Sequence, residues 1–205
     1  MNGLLLVGGG GHCGSCIDVI EADARYRIRG IVDQNPPAAA DMLGYPFLGD
    51  DSFLPALLQG GGNALVTVGQ IRSAEPRKRL YALLKSLGAT LPGIVSPHAH
   101  LSRHAGIGEG TVVFHGAIVN AGAIVGHNGI VNSRALVEHD SIVGDHCHIS
   151  TGAIVNGGCT IGEGTFIGSG AIVHNGVNIG SGCVIAAGTV VKSDVPDGTL
   201  LRGDR

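Results

Sequence analysis

The sequence predicts a protein of two parts. These are a small α/β, Rossmann-like unit with a parallel sheet over residues 1–96, and an all-β, three-sided parallel solenoid over residues 97–205. The solenoid is predicted by an aliphatic residue at every sixth position from Leu101 to Val191, sixteen in all, and by a small residue two positions before most of them. The α/β unit is predicted by apolar and helical stretches that alternate around a run of glycines near the N-terminus.

The strands and helices of the α/β unit are expected to alternate along the chain. The expected strands cover 4–7, 27–33, 64–68 and 90–95, and the expected helices run from the glycine run to about 22, over 52–59 and over 75–87. This order is typical of a parallel sheet with crossover helices. Pro36, Pro37 and the alanines after them predict a mobile loop, and Pro97 marks the hinge into the solenoid.

A glycine-rich loop joins the first expected strand to the first expected helix. Gly9, Gly11 and Gly14 have the spacing of a dinucleotide-binding fingerprint, and Asp33 follows at the end of the second expected strand. The pattern places nucleotide phosphates at a helix N-terminus and an acidic side chain near the ribose or base. The unit is too short for a second mononucleotide half, which argues against nicotinamide redox chemistry. A purely structural loop is the alternative interpretation.

The six-residue period of the second part fits neither a helix nor a single strand, whose side chains repeat at about 3.6 and 2 residues. It fits a solenoid in which three short strands form each turn, and each strand points one aliphatic residue inward. Three cysteines, Cys147, Cys159 and Cys183, occupy the small inward position, which predicts a packing role. Cys13 and Cys16 have the spacing of a redox pair, but packing against a helix is the favoured interpretation.

Composition and charge exclude several classes of protein. The formal net charge is −3, and no basic run interleaved with aromatic residues is present, so no nucleic-acid partner is expected. The chain has no stretch of 18 apolar residues, and Met1–Val7 lacks the positive region of a signal peptide. We therefore expect a cytoplasmic protein without membrane insertion.

Histidines mark the candidate chemistry of the solenoid. His115, His127 and His139 lie twelve residues apart, so they fall on three different corners and form no metal site within one chain. The stretch Glu138-His139-Asp140 sets an imidazole beside a carboxylate, which is the arrangement of a general base, with a polar surface turn as the alternative. His148 lies half a turn away and would meet His139 only across a subunit interface, and a polar surface turn is the alternative for His148 as well. A trimer is the natural closure of a three-sided prism.

Nearly the whole chain resembles the bacterial sugar acetyltransferases that include sialic-acid O-acetyltransferases and nucleotide-aminosugar N-acetyltransferases. The resemblance is carried by the following stretches, in order: Val7–His12, Ile31–Asp33, Val68-Gly69, Asn132, Val137–Asp140 and His146–Gly152. It implies a homotrimer of left-handed β-helices, each with an N-terminal nucleotide-sugar domain. It also implies acetyl-CoA as cosubstrate, and no metal is expected.

The resemblance further implies roles for individual residues. His139 matches the general base and Asp140 its acidic partner; Gly157 matches the backbone oxyanion donor. Positions that match the binding of the nucleotide sugar are Gly10, Gly11, His12, Asp33, Gly69 and Asn132; those that match acetyl-CoA contacts are His148, Gly157, Ser169 and Ala187. Gln34 stands where many relatives have a second acid, and the C-terminus departs from the family's usual ending, so the nucleotide base and the outer coenzyme A contacts stay open.

The expected function is transfer of an acetyl group from acetyl-CoA to an amino sugar, most simply a nucleotide-linked 4-amino-deoxy sugar used for bacterial surface glycans. The nearest alternative is O-acetylation of a sialic-acid-like sugar. From another class, the chain could be a non-catalytic nucleotide-sugar-binding or scaffold subunit. The His139-Asp140 pair argues against that class, because a scaffold needs neither residue.

Overall fold

A computed structural model of the chain describes residues 2–35 and 41–203. The loop expected around Pro36 and Pro37 lies outside the described residues. The first part of the chain contains, in order, β1 (Asn2–Val7), α1 (Gly11–Asp23), β2 (Tyr26–Val32), β3 (Asp41–Met42), β4 (Tyr45–Pro46), a 3-10 turn (Asp51–Phe53), α2 (Leu54–Leu57), β5 (Asn63–Val66) and α3 (Glu75–Ser86).

A three-stranded parallel sheet in the order β2-β1-β5 forms the centre of the α/β unit. The parallel α/β class is therefore confirmed, but the fourth strand expected over 90–95 is wrong. Thr90 makes only one bridge, to Asn63, and the next paired residues, Ile94–Val95, join the solenoid instead. The intervening Pro92 has no amide hydrogen to continue a ladder, so the chain leaves the sheet there.

The solenoid consists of three parallel sheets of two-residue strands, which confirms the period-six interpretation. The docked face, which packs against the α/β unit, contains Ile94–Val95, Val112–Val113, Ile130–Val131, His148–Ile149, Phe166–Ile167, Val184–Ile185 and Leu200–Leu201. The second face contains His100–Leu101, Ile118–Val119, Leu136–Val137, Ile154–Val155, Ile172–Val173 and Val190–Val191. The third face contains Gly106–Ile107, Ile124–Val125, Ile142–Val143, Thr160–Ile161 and Asn178–Ile179.

Three corners connect these faces. We call the corner between the docked and second faces the first corner, the one between the second and third faces the second corner, and the one that returns to the docked face the third corner. The second residue of each strand points inward, and these aliphatic side chains form the solenoid core with the small corner residues, including Cys147, Cys159 and Cys183. The packing role predicted for these three cysteines agrees with their burial.

The two units share a hydrophobic core. Outward side chains of the docked face, among them Ile94, Val112 and Ile130, pack in one cluster with residues of β1 and α1. Cys13 and Cys16 are buried in this cluster, and burial raises the pKa of the Cys13 thiol to about 11. A redox pair needs an accessible, readily ionised thiol, so the structure agrees with the packing interpretation. The domain boundary at residue 96 stays a prediction.

Candidate functional site

The glycine loop, Gly8–Gly11, connects β1 to α1. Gly8 has a φ of 112°, and a Cβ there would collide with Val68, which leaves glycine as the fitting residue. Gly10 precedes the first turn of α1, and a Cβ at Gly10 or Gly11 would meet no atom within 4 Å. The N-terminus of α1 therefore faces open space, where backbone N–H groups favour an anion.

Asp33 lies beside this loop, as predicted. One carboxylate oxygen accepts the N–H of Gly9 at 2.5 Å, and the other accepts the N–H of Asn35 at 2.8 Å. The carboxylate thus stabilises the backbone of the glycine loop. Asp33 therefore has a structural role, and a role in ligand binding would be additional to it.

A cavity of about 200 Å³ adjoins the loop and is lined by Gly8, Asp33, Gln34, Asn35, Asp51, Val68, Pro76, Arg79 and Leu80. The Arg79 guanidinium lies 3.8 Å from the Asp51 carboxylate and 3.4 Å from the side-chain oxygen of Gln34. Sequence reasoning missed Asp51 and Arg79. Only the fold brings β2, the 3-10 turn and α3 to the same cavity, so no local pattern could have identified them.

His148 is buried beneath the α/β unit, with 6% of its surface exposed. Its Nδ1 donates to the carbonyl oxygen of Gln70 at 2.7 Å, which leaves Nε2 to accept from the Asn132 amide at 3.1 Å. Burial lowers the pKa of His148 to about 4, so the ring is neutral at neutral pH. The alternative of a surface histidine on a polar turn is wrong for His148, because its strand faces the α/β unit.

His12 lies next to His148, with 6.3 Å between the ring centroids, and packs on Phe114 at 5.3 Å. Its Nε2 is buried and has no hydrogen-bond partner among the described residues. Burial, assisted by the positive charge of Arg77, lowers the pKa of His12 to about 3. Gly69 lies against the same ring, since a Cβ there would approach the Cβ of His12 to 3.3 Å. The structure therefore brings His12, Gly69, Asn132 and His148 into one cluster.

Arg77 supports this cluster from behind and was also missed in the sequence. Its side chain is fully buried on α3 and donates to the carbonyl oxygens of Val68 and Asn128 at 2.5 and 2.6 Å, and to the Asn128 side-chain oxygen at 2.8 Å. Burial lowers its pKa to about 10, which still leaves it charged at neutral pH. The guanidinium joins α3, the segment that follows β5 and the third corner of the solenoid.

His139 lies on the second corner, exposed to solvent. Its Nδ1 is 3.0 Å from an Asp140 carboxylate oxygen, and this hydrogen bond raises the pKa of the imidazole. Its Nε2 lies over Gly157, one turn further along the same corner, where a Cβ would come within 2.6 Å of that nitrogen. No hydrogen bond among the described residues uses the N–H of Gly157. The second corner thus brings an oriented imidazole and an unused backbone N–H donor close together.

The remaining predicted residues lie elsewhere on the prism. Asn132, Ser169 and Ala187 are on the first corner, and the Ser169 hydroxyl is 3.0 Å from that of Ser150. His139 and Gly157 are across the second face from them, and His148 is on the docked face. One chain therefore holds two separate clusters, one around His148 and the glycine loop and one around His139.

Comparison with known families matches both parts of the chain. Residues 3–84 match the PglD N-terminal domain, and residues 158–193 match the bacterial transferase hexapeptide repeat. A comparison with curated protein sequences found no significant match.

Solved structures match nearly the whole chain. Perosamine N-acetyltransferase of Caulobacter crescentus, determined as a histidine-to-asparagine variant in complex with CoA and GDP-perosamine, is 34% identical, with 96% of this chain and 91% of that chain covered and a TM-score of 0.90. The acetyltransferase domain of PglB from Neisseria gonorrhoeae is 32% identical, with 97% and 95% covered and a TM-score of 0.87. The same domain in complex with acetyl coenzyme A is 33% identical, with 96% and 94% covered and a TM-score of 0.88.

The chain belongs to the hexapeptide-repeat sugar acetyltransferases. It is an acyltransferase with a PglD-type N-terminal domain, and its solenoid is of the left-handed β-helix type. WeeI of Acinetobacter baumannii, at 19% identity and a TM-score of 0.76, shares the fold.

Two further features of this acetyltransferase bear on its chemistry. Across residues 2–35 and 41–203, no three His, Cys, Asp or Glu side chains converge as a set of metal ligands. His115, His127 and His139 lie on the first, third and second corners respectively. In the same part of the chain, every helix is too short or too polar to cross a bilayer.

Proposed function

We propose that this acetyltransferase transfers the acetyl group of acetyl-CoA to the amino group of a nucleotide-linked amino sugar. The observation that carries the proposal is the arrangement of His139, Asp140 and Gly157 on the second corner. An imidazole whose Nδ1 is held by a carboxylate presents its free Nε2 beside an unused backbone donor. The perosamine N-acetyltransferase, which is similar over 96% of this chain, was solved with CoA and GDP-perosamine, a ligand pair of this kind.

Two groups on the second corner, the Gly157 N–H and the His139 imidazole, each contribute one function to the reaction. The amine nitrogen attacks the thioester carbonyl, a C–N bond forms, and the carbonyl oxygen becomes an oxyanion that the Gly157 N–H can stabilise. His139 Nε2 takes the proton that the amine loses. The C–S bond then breaks, and CoA leaves as a thiolate that takes up a proton. Because all five cysteines are buried, no covalent acyl-enzyme on sulfur is part of this proposal.

The glycine loop, together with His12, Gly69 and Asn132, is assigned to the nucleotide sugar. Gly10 and Gly11 leave open space at the N-terminus of α1 for the diphosphate, and Asp33 stands at the edge of the adjoining cavity. His12, Gly69 and Asn132 continue this surface toward the solenoid. Ser169 and Ala187 are assigned to acetyl-CoA along the first corner, together with His148 near the thioester and Gly157.

A homotrimer is the assembly that unites the two clusters. Within one chain they are separated by the second face, but in a ring of three the second corner of one subunit approaches the first corner and docked face of the next. Two outward rows of apolar side chains support such a contact, since Ile118 and Val190 on the second face and Ile124 and Ile142 on the third face are exposed. A cytoplasmic location, where acetyl-CoA is available, remains a prediction.

The reaction is tested by incubating the purified protein with acetyl-CoA and a panel of UDP-, GDP-, dTDP- and CMP-linked amino sugars. Thiol release and the mass of the product are measured. Acetylation of the amine of at least one nucleotide-linked sugar is expected, with the free sugar a poor substrate. Acetylation of a hydroxyl on a sialic-acid-like sugar would support the O-acetyltransferase alternative, and binding without transfer would support a non-catalytic subunit.

A further inference from the structure

One position of the solenoid corners has a left-handed backbone in nearly every turn, and glycine occupies it at residues 110, 116, 122, 152, 158, 164, 170, 176, 182 and 188. Four consecutive corners carry other residues there. These are Asn128, Arg134, Asp140 and His146, with φ between 51° and 59°. Side chains with a Cβ disfavour this region, although Asn, Asp and His enter it more readily than Arg does, so Arg134 in particular calls for a compensating role.

Three of the four have such a role within the chain. Asn128 accepts hydrogen bonds from the buried Arg77 guanidinium through its side chain and its backbone. Asp140 orients His139. His146 contacts the Asn128 amide at 3.0 Å through Nδ1 and packs edge-on against Tyr81.

Arg134 is the fourth, and it has no such role among the described residues of its own chain. It is exposed on the first corner, and no hydrogen bond or ion pair joins its guanidinium to any other residue in the described ranges. Its aliphatic stem packs over Gly116, because a Cβ at that glycine would approach Arg134 Cγ to 3.4 Å. The stem is thus supported while the cationic end remains available to an anionic group.

A matching anionic group lies on the second corner of the same turn. Glu138 is only part-exposed, and one of its carboxylate oxygens accepts the Asn120 amide at 2.9 Å and the backbone N–H of His139 at 3.1 Å. These bonds engage one carboxylate oxygen and hold the side chain in place. Asp140 on the same corner is already paired with His139, so Glu138 is the better partner for a second cation.

We propose that Arg134 of one subunit forms an ion pair with Glu138 of the partner subunit, beside the imidazole of His139. The inference rests on the trimer of the proposed function. Rotation about an axis parallel to the solenoid keeps residues of the same turn at the same height, and a head-to-tail ring joins the first corner of one subunit to the second corner of the next. Arg134 is then a positioning residue, which fixes the His139 corner against the neighbouring substrate site.

Charge reversal tests the pair. Arg134→Glu is expected to weaken trimer assembly by about tenfold or more, because like charges then face each other across the interface. Glu138→Arg is expected to do the same, and the double variant is expected to assemble more tightly than either single variant. Assembly is measured by sedimentation velocity over a range of protein concentrations. Arg27→Glu, an equal change of charge on an exposed residue of β2, is the matched control and is expected to assemble normally.

Arg134→Gly distinguishes loss of the ion pair from a folding defect, because glycine already occupies the equivalent position in ten other corners. It is expected to fold as the wild type does, by circular dichroism, and to assemble less tightly. A double charge-reversal variant no better assembled than the worse single variant would overturn the ion pair. So would normal assembly of Arg134→Glu with a raised KM for the nucleotide sugar alone, which would assign Arg134 to a phosphate group. Wild-type protein that forms trimers but acetylates no amino sugar would refute the proposed function and leave the ion pair standing.

Discussion

Gly157 leaves room for the imidazole of His139, and a single methyl group there should disable the reaction. In Gly157→Ala the new Cβ would be 2.6 Å from His139 Nε2 and 2.7 Å from its Cε1, whereas ordinary contacts begin near 3.4 Å. The backbone itself accepts a side chain at this corner position, because Ala121 and Asn175 occupy it in other turns. The ring, and not the main chain, must therefore move.

The size of the effect follows from that movement. Relief of the overlap requires a displacement of about 1 Å, and a misplacement of that size can cost about 10²-fold in rate. We expect kcat to fall by about that factor. His139 is exposed, so its ring can turn into solvent, and the free energy of unfolding should change by less than about 1 kcal/mol.

Steady-state release of the CoA thiol measures the rate, and thermal unfolding measures the stability. Gly106→Ala is the matched control, since a Cβ at Gly106 would meet no atom within 4 Å. It should retain the rate of the wild type. Wild-type turnover by a folded Gly157→Ala variant would refute the placement of the reaction over Gly157.

Three other predictions follow from the same site. His139→Ala should lower kcat by about two to four orders of magnitude, with the fold retained by circular dichroism. Asp140→Asn should lower kcat by less, because the base remains. Unchanged turnover of His139→Ala would contradict the assignment of His139 as the general base. Asp33→Ala should raise the KM for the nucleotide sugar far more than the KM for acetyl-CoA. Equal effects on both KM values would show that the glycine loop does not bind the nucleotide. The free energy of unfolding should keep its full value well above pH 6.5 and fall by about 3 kcal/mol for each of His148 and His12 as the pH drops toward 4. The two rings have pKa values near 4 and near 3 in the folded protein, so each refuses a proton that it takes up when the chain unfolds. Urea unfolding at several pH values measures this slope, which His148→Gln should reduce; an unchanged slope would show that the ring is not buried as a neutral group.

Most of the fold could be predicted from the sequence because the residue pattern of each element reflects which of its side chains are buried. Every solenoid strand carries one inward aliphatic residue, so the period of six and the three faces follow from local pattern alone. The exception was the strand expected over 90–95. Its apolar residues are explained by docking of Ile94 on the α/β unit, and a local pattern does not state which sheet an apolar segment joins.

The candidate site was predicted only where its residues are close in sequence. His139 and Asp140 are adjacent, and the glycine loop and Asp33 follow a known spacing. The burial of His148, the support from Arg77 and the cavity residues Asp51 and Arg79 all depend on contacts between distant segments. Arg134 could have been noticed in the sequence, because a glycine that recurs at one corner position is replaced there in four consecutive repeats.

A site shared between subunits is tested most directly by mixing two inactive variants. His139→Ala removes the base, and Gly11→Leu fills the open space before α1 without altering the second corner. Subunits of the two variants are co-expressed with different tags, and the mixed trimers are purified and assayed. If each site combines the second corner of one subunit with the glycine loop of its neighbour, every purified mixed trimer contains one intact site out of three, so it should have about a third of the wild-type activity. Activity no higher than that of the parent variants would place the whole site within one chain and contradict the shared site.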